Sequence, residues 1–206
     1  MSTPPRLSAP ERREAILAAA HDLFAERGFR GVTTRELAAA VGVTEPVLYQ
    51  HFPSKRDLYR ALIERKMEKA HGLHEDFRAI CRDPQDPKAF LQQLAAMIMA
   101  WHQADPSFMR LLLLSSLENH ELREMFHERM MNSYFPTLID AFGKLIQREG
   151  LRPVPTEFAV YTFCAMVGQH CMDRLLFRHP LSNASDEQVI THMVDIFLNG
   201  LKKESK

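Results

Sequence analysis

Thr33, Thr34 and Arg35 open a short apolar-periodic segment, where two hydroxyls, a guanidinium and the unpaired N–H groups of a helix start can together hold a phosphate. Thr33 also has Glu36 three residues on, so Thr33-Thr34-Arg35-Glu36 reads as a capping box, and a cap can serve the fold alone or the fold and a phosphate together. Side chains with catalytic potential are not arranged to use it. Ser115 and Ser116 lie near Glu118 and His120, but that spacing is not a nucleophile–base–acid set. There is no phosphate-binding glycine loop, no Gly-x-Ser-x-Gly elbow and no His-Glu-x-x-His helix. His71 and His74 at i, i+3, and His170-Cys171 near Cys164, lack the ligand density of a metal site. No enzyme, metal or cofactor is therefore expected.

Cys81, Cys164 and Cys171 are odd in number and widely spaced, which suits buried small hydrophobes rather than a disulfide framework. With 46% hydrophobic and 25% charged residues in 206, the chain is long and apolar enough for a globular core. Met1 to Pro5 has no apolar run behind it, and stretches such as Ala95 to Trp101 and Leu111 to Leu114 are too short to cross a bilayer. A cytosolic protein without membrane association is expected. Net charge is zero, and residues 1 to 60 hold nine Lys/Arg against seven Asp/Glu, too slight an excess to argue for a nucleic-acid partner. That case must come from pattern.

The elements that carry these residues read as all-α, because Pro and Gly are sparse inside helical periodicity and no alternating β-branched run appears. A first helix is predicted over Pro10 to Arg27, with Glu11 and Glu14 at its positive end and Ile16, Leu17, Ala20, Leu23 and Phe24 in one buried stripe. Gly28 ends it through a left-handed cap. A second helix, Thr34 to Val41, turns Leu37, Ala38 and Val41 inward and breaks at Gly42. Thr44 is expected to cap a third, with Pro46 in its first turn and Val47, Leu48 and Phe52 on its apolar side. Pro53 stops it, and Ser54 caps a long fourth helix to about Ile80. Beyond the loop Arg82 to Pro87, helices follow at about Lys88 to Ala104, Ser107 to Leu117, Glu121 to Glu149 with a kink at Pro136, Thr156 to Arg178 and Asp186 to Leu201. That makes about nine.

Two short helices joined by the tight turn Val41-Gly42-Val43, backed by a preceding helix, are a helix-turn-helix arrangement. The stretch Arg13 to Tyr59 resembles the N-terminal domain of TetR-family repressors. The matching residues are Ile16-Leu17, Ala19-Ala20, Leu23-Phe24, Glu26, Gly28-Phe29, Gly31, Thr33-Thr34, Leu37-Ala38, Gly42-Val43, Leu48-Tyr49, His51-Phe52, Ser54-Lys55 and Leu58. No comparable signature follows Lys66, as expected for a family whose C-terminal helices diverge.

The resemblance implies a DNA-binding domain over residues 1–55 and a helical effector-binding and dimerisation domain over 56–206. By matching position, Thr44, Glu45, Val47, Tyr49, Gln50 and His51 are the exposed side chains of the reading helix. Gln50 suits a bidentate pair with adenine and Val47 a thymine methyl, while Tyr49 and His51 reach phosphates. Lys55 carries a phosphate-clamping role by the same resemblance. Arg6, Arg12 and Arg13 fit added phosphate contacts or a solvated face equally well. Thr44-Glu45-Pro46 departs from the small or basic residues of many relatives; Glu45 either accepts from a cytosine amino group or favours the helix N-terminus.

The last two helices resemble the family's dimerisation pair. Phe158, Tyr161, Ala165, Gly168, Met172 and Leu175 recur on one, and Val189, Met193, Ile196, Phe197 and Gly200 on the other, with part of each helix serving the internal core. Met97, Trp101, Met109, Leu113, Met130, Tyr134 and Phe163 are candidate effector-lining residues, with His102 and His170 as polar handles; plain core is the competing assignment for each. The function implied is a homodimeric regulator, a repressor released from a palindromic double-stranded operator by a small apolar effector. The alternative is a helical apolar-ligand-binding protein that reads no DNA sequence; a damaged helix-turn-helix would favour it.

Overall fold

The computed structural model describes residues 7–69, 71–118, 121–149, 151–178 and 183–201. Among them the regular structure is entirely helical: α1 (Ala9–Arg27), α2 (Thr34–Val41), α3 (Glu45–His51), α4 (Lys55–Lys69), α5 (His71–Arg82), α6 (Pro87–Ala104), α7 (Pro106–Leu117), α8 (Glu121–Ser133), α9 (Phe135–Arg148), α10 (Thr156–Leu175) and α11 (Asp186–Leu201). Arg6, His120 and the side chains of His71 and His74 lie outside the described residues. No described helix is long and apolar enough to cross a membrane, and the described residues hold no metal-ligating group of three or more.

Eleven helices are described where about nine were expected. The predicted Ser54–Ile80 helix falls on α4 and α5, and residue 70 between them lies outside the described residues. The predicted Glu121–Glu149 helix is not merely kinked but ends at Ser133. Pro136 has no N–H to continue the ladder of α8, and it instead occupies the first turn of α9, where none is needed. Tyr134 bridges the two, donating its N–H to Met130 at 3.0 Å and accepting from Leu138 at 3.1 Å.

Contacts divide the chain into two compact units, Met1–Lys69 with Ser107–Phe126, and Ala70–Pro106 with His127–Lys206. In the first, α1 lies against α2 and α4, and α2 against α3. The α1 stripe buries Ile16, Leu17, Ala20 and Phe24, while Leu23, expected in the same stripe, is half-buried. Leu37, Leu48, Phe52, Leu58 and Tyr59 complete this core, joined by Phe108 and Leu111 of α7. Removing one such leucine to Ala costs about 2–5 kcal/mol.

In the second unit α6 lies against both α10 and α11, and α9 against α10. Its centre is aromatic: Phe163 meets Phe197 at 5.1 Å and Phe142 at 6.3 Å between ring centroids, and Phe90 meets Phe142 at 5.5 Å. The three cysteines are free. Burial pushes the thiol of Cys81 up to about 12 and those of Cys164 and Cys171 up to about 11, so all three stay protonated and unreactive near neutrality.

Candidate nucleic-acid interface

The first unit builds a helix pair with both starts pinned. Thr33 accepts from the backbone N–H of Glu36 at 3.2 Å and donates its hydroxyl to the Glu36 carboxylate at 2.8 Å, while the Thr33 N–H donates to that carboxylate at 2.7 Å. This reciprocal box fixes the start of α2. Arg27, in the last turn of α1, donates to Glu36 at 2.7 Å. These bonds hold the Glu36 carboxyl down at about 2, with the backbone of Thr33 contributing most and Arg27 next. Gly42 closes α2 in the left-handed region at φ 70° and ψ 32°. Gly28 closes α1 at φ 73° but ψ 175°, an almost glycine-only conformation rather than the left-handed helical one expected.

The third helix starts differently from expectation. Thr44 occupies the N-cap but its side chain makes no capping hydrogen bond. An N-cap oxygen can take the N–H of the second or third helical residue; Pro46 lacks the first of these, Val47 keeps the other, and Thr44 uses neither. The start is secured by Glu45, whose carboxylate accepts the hydroxyl of Thr34 at 2.5 Å. Sequence left Glu45 between base contact and helix dipole; neither reading included this cross-link.

On α3, Leu48 faces the core while Thr44, Tyr49 and Gln50 are exposed and Glu45, Val47 and His51 half-buried. Tyr49 keeps 45% of its surface in solvent. Thr33 and Arg35 are exposed and Thr34 half-buried. Because the hydroxyl protons of Thr33 and Thr34 are committed to Glu36 and Glu45, a phosphate at the α2 start would meet the backbone N–H groups and Arg35 rather than those hydroxyls. Arg13, on α1, lies 4.7 Å over the Phe52 ring, and Arg12 donates to the Leu7 carbonyl at 3.3 Å.

Lys55 begins α4 half-buried, its Nζ 4.2 Å over the Phe29 ring. Burial lowers its pKa, opposed by the attraction of Glu118 and Glu36. Phe29 stacks on Phe24 at 5.8 Å and meets Tyr59 edge-on at 5.3 Å, so the ammonium rests on a rigid aromatic platform.

The candidate effector residues are distributed over both units. Met109 and Leu113 lie on α7 in the first unit, Met109 buried and Leu113 half-buried. Met97, Trp101, His102, Met130, Tyr134, Phe163 and His170 lie in the second. Phe163 is fully buried within the ring cluster, Tyr134 meets Phe77 edge-on at 5.2 Å, and Trp101 meets His102 at 4.8 Å. The Nε2 of His170 is buried with no hydrogen-bond partner among the described residues. An apolar groove of about 490 Å³ in the same unit is lined instead by Met131, Phe135, Pro136, Ile139, Phe158 and Tyr161, with Glu157 at its edge.

The outward side of α10 and α11 is unusually apolar. Phe158 is 70% exposed, Tyr161 65% and Ile196 68%, and Ala165, four residues after Tyr161, is also exposed. A methyl group added at Gly168 or Gly200 would meet nothing within 4 Å. Phe197, placed on that face by its spacing, instead turns into the aromatic core. Met172, Leu175, Val189 and Met193 are half-buried.

Comparison with known proteins agrees with this architecture. Residues 16–62 match the family described as bacterial regulatory proteins of the tetR family, and residues 88–200 match the AefR-like transcriptional repressor C-terminal domain. The nucleoid occlusion factor SlmA of Marinobacter nauticus is 35% identical over 152 residues, covering 71% of this chain and 74% of that one. AibR, solved with isovaleryl coenzyme A and operator DNA, superposes with a TM-score of 0.67 at 25% identity, covering 91% of this chain and 98% of that one. FadR from Bacillus subtilis, solved with stearoyl-CoA, gives 0.66 at 18% identity, with 91% and 98% covered, and shows the shared fold. The two matched segments together span more than half of the chain, which therefore belongs to the TetR family of bacterial regulatory proteins.

Proposed function

We propose that this chain is a non-enzymatic cytoplasmic repressor that binds a palindromic operator as a homodimer and is released by an acyl thioester. The observation that carries the DNA-binding reading is the pinned helix pair, which presents Thr44, Tyr49 and Gln50 to solvent while Leu48 anchors the same helix in the core. Thr44, Val47, Tyr49, Gln50 and His51 meet the major groove, and Arg35 and Lys55 meet phosphates. Thr33, Thr34 and Glu45 hold the two helix starts in place. One such pair reads too few bases for useful affinity, and a two-fold dimer doubles the site.

The apolar outward face of α10 and α11, with Phe158, Tyr161 and Ile196, is the surface assigned to the twin subunit. The groove beside it shares Phe158 and Tyr161, so it is assigned to that interface and not to the effector. The effector reading is confined to the second unit, to Met97, Trp101, His102, Met130, Tyr134, Phe163 and His170. The unpartnered Nε2 of His170 is the polar group that a thioester carbonyl would satisfy. The acyl-CoA class comes from AibR and FadR, whose structures hold isovaleryl coenzyme A and stearoyl-CoA.

The test is a titration of protein bound to a genomic duplex that it selects, using free coenzyme A, isovaleryl-CoA and stearoyl-CoA. Release by a thioester and not by free coenzyme A supports the reading; DNA affinity indifferent to all three removes the effector class. A second reading, a role at the nucleoid, has the 35% identity to SlmA in its favour. Selected sites ahead of genes favour the first reading, and sites scattered within genes the second.

A further inference from the structure

Glu118 follows the last residue of α7, donating its N–H to the Leu114 carbonyl at 2.9 Å. A carboxylate there faces the negative end of its own helix dipole, which is locally unfavourable. Its partners are in the α1–α2 turn, some ninety residues earlier in the chain. The Phe29 N–H donates to Glu118 Oε2 at 3.0 Å, and the Arg30 N–H donates to both carboxylate oxygens at 3.3 and 3.4 Å. Eight residues before Glu118, Arg110 of α7 donates to the Glu26 carbonyl at the end of α1, at 3.3 Å. An anion on free N–H groups and a cation on a helix-end carbonyl thus grip the same corner from one helix.

Gly28 belongs to this grip. A Cβ built on it would stand 2.4 Å from Glu118 Oε1, so the carboxylate keeps its seat only beside a residue without a side chain. The turn so held carries the parts of the DNA surface. Phe29 supplies the ring under the Lys55 ammonium, and the turn feeds directly into the Thr33 cap of α2. Arg27 on the near side of the turn is bonded across it to Glu36.

We propose that Glu118 is a positioning residue for DNA binding: by holding the Phe29 and Arg30 amides it sets where Lys55 and the start of α2 stand relative to the phosphates. This rests on the DNA-binding reading above. Glu118 touches no DNA itself and acts through Phe29.

The experiment uses full-length wild type, Glu118→Ala, Glu118→Gln and Gly28→Ala, with a genomic duplex that the wild type selects and a random-sequence duplex of equal length. Glu118→Ala should bind both duplexes roughly tenfold more weakly, with a salt slope shallower by up to about one, because one phosphate contact is misplaced. Glu118→Gln keeps a carbonyl for Phe29 and should fall between. Gly28→Ala should weaken binding in the wild-type background and by less in a Glu118→Ala background, where the strain of the turn at φ 73° remains but no carboxylate is displaced. A Glu118→Ala protein with wild-type circular dichroism, affinity and salt slope overturns the proposal, as does losing thermal stability alone. Should Glu118→Ala fail to fold, hydrogen exchange on the wild type decides: Phe29 and Arg30 amides protected well beyond those of exposed turns support the grip, and fast exchange overturns it. A wild type that binds neither duplex instead refutes the DNA-binding reading.

Discussion

The hydroxyl of Thr34 donates to the carboxylate of Glu45 at 2.5 Å, joining the first residue of α2 to the first residue of α3. The pair replaces the cap that Thr44 does not make and fixes the angle at which the reading helix leaves the turn. Glu45→Ala should therefore lower stability by about 1.5–3 kcal/mol, the range for a hydrogen bond to a charged group. Base preference should be unchanged. Thermal unfolding and binding to a panel of single-base operator variants check this; relaxed preference at one G·C pair with unchanged stability would return Glu45 to base reading.

Gln50 is exposed on the same helix and suited to a bidentate pair with adenine. Gln50→Ala should cost about 1–3 kcal/mol of discrimination at a single operator position and little elsewhere. The same variant panel reads it. A loss spread evenly over every duplex would assign Gln50 to phosphate contact instead.

Lys55 rests on Phe29 with its pKa lowered by burial, and meeting a phosphate would favour its charged form. Lys55→Ala should weaken binding to all sequences alike and reduce the salt slope by about one. Unchanged affinity and slope would leave Lys55 as a packing residue only.

The Glu36 capping box predicts an acid-sensitive start to α2. Its carboxyl lies near 2 in the fold against 4.5 otherwise, so its contribution is fully present above about 4.5 and is lost as pH falls through about 2. Thermal unfolding followed between these limits should fall less steeply in Glu36→Gln than in wild type. Parallel curves would mean that the box adds nothing to stability.

Much of this was legible in sequence because it is local. Thr33 and Glu36, three apart, announce their box, and the stripe Ile16, Leu17, Ala20 and Phe24 announces the buried side of α1. Both ends of α2 and the start of α11 fall where periodicity and caps place them. Local rules failed where one residue overruled them. Glu45 ties the start of α3 to Thr34 where a Thr44 cap was expected, and Pro136 turns one long helix into two. The grip of Glu118 on Phe29 had no sequence signal at all, since nothing local ties residues eighty-nine apart. The effector-lining set was least legible, because a Met or aromatic at helical spacing serves a core and a pocket alike.

Exposed Phe158, Tyr161 and Ile196 predict an obligatory partner surface. Ile196→Arg, on a residue 68% exposed, should leave folding intact and shift the protein from dimer to monomer by light scattering, with loss of operator affinity. A dimer that persists in Ile196→Arg and in Tyr161→Glu would place the interface elsewhere.

Selection of genomic fragments by the purified wild-type protein at physiological salt, followed by sequencing, tests the central claim most directly. Recovery of a palindromic site, with half-sites on one side of the duplex about one helical turn or a multiple of it apart, is the result expected of a dimer of these helix pairs. Recovery of only random fragments whose retention vanishes with salt would contradict it, and would favour a helical ligand-binding protein that reads no sequence.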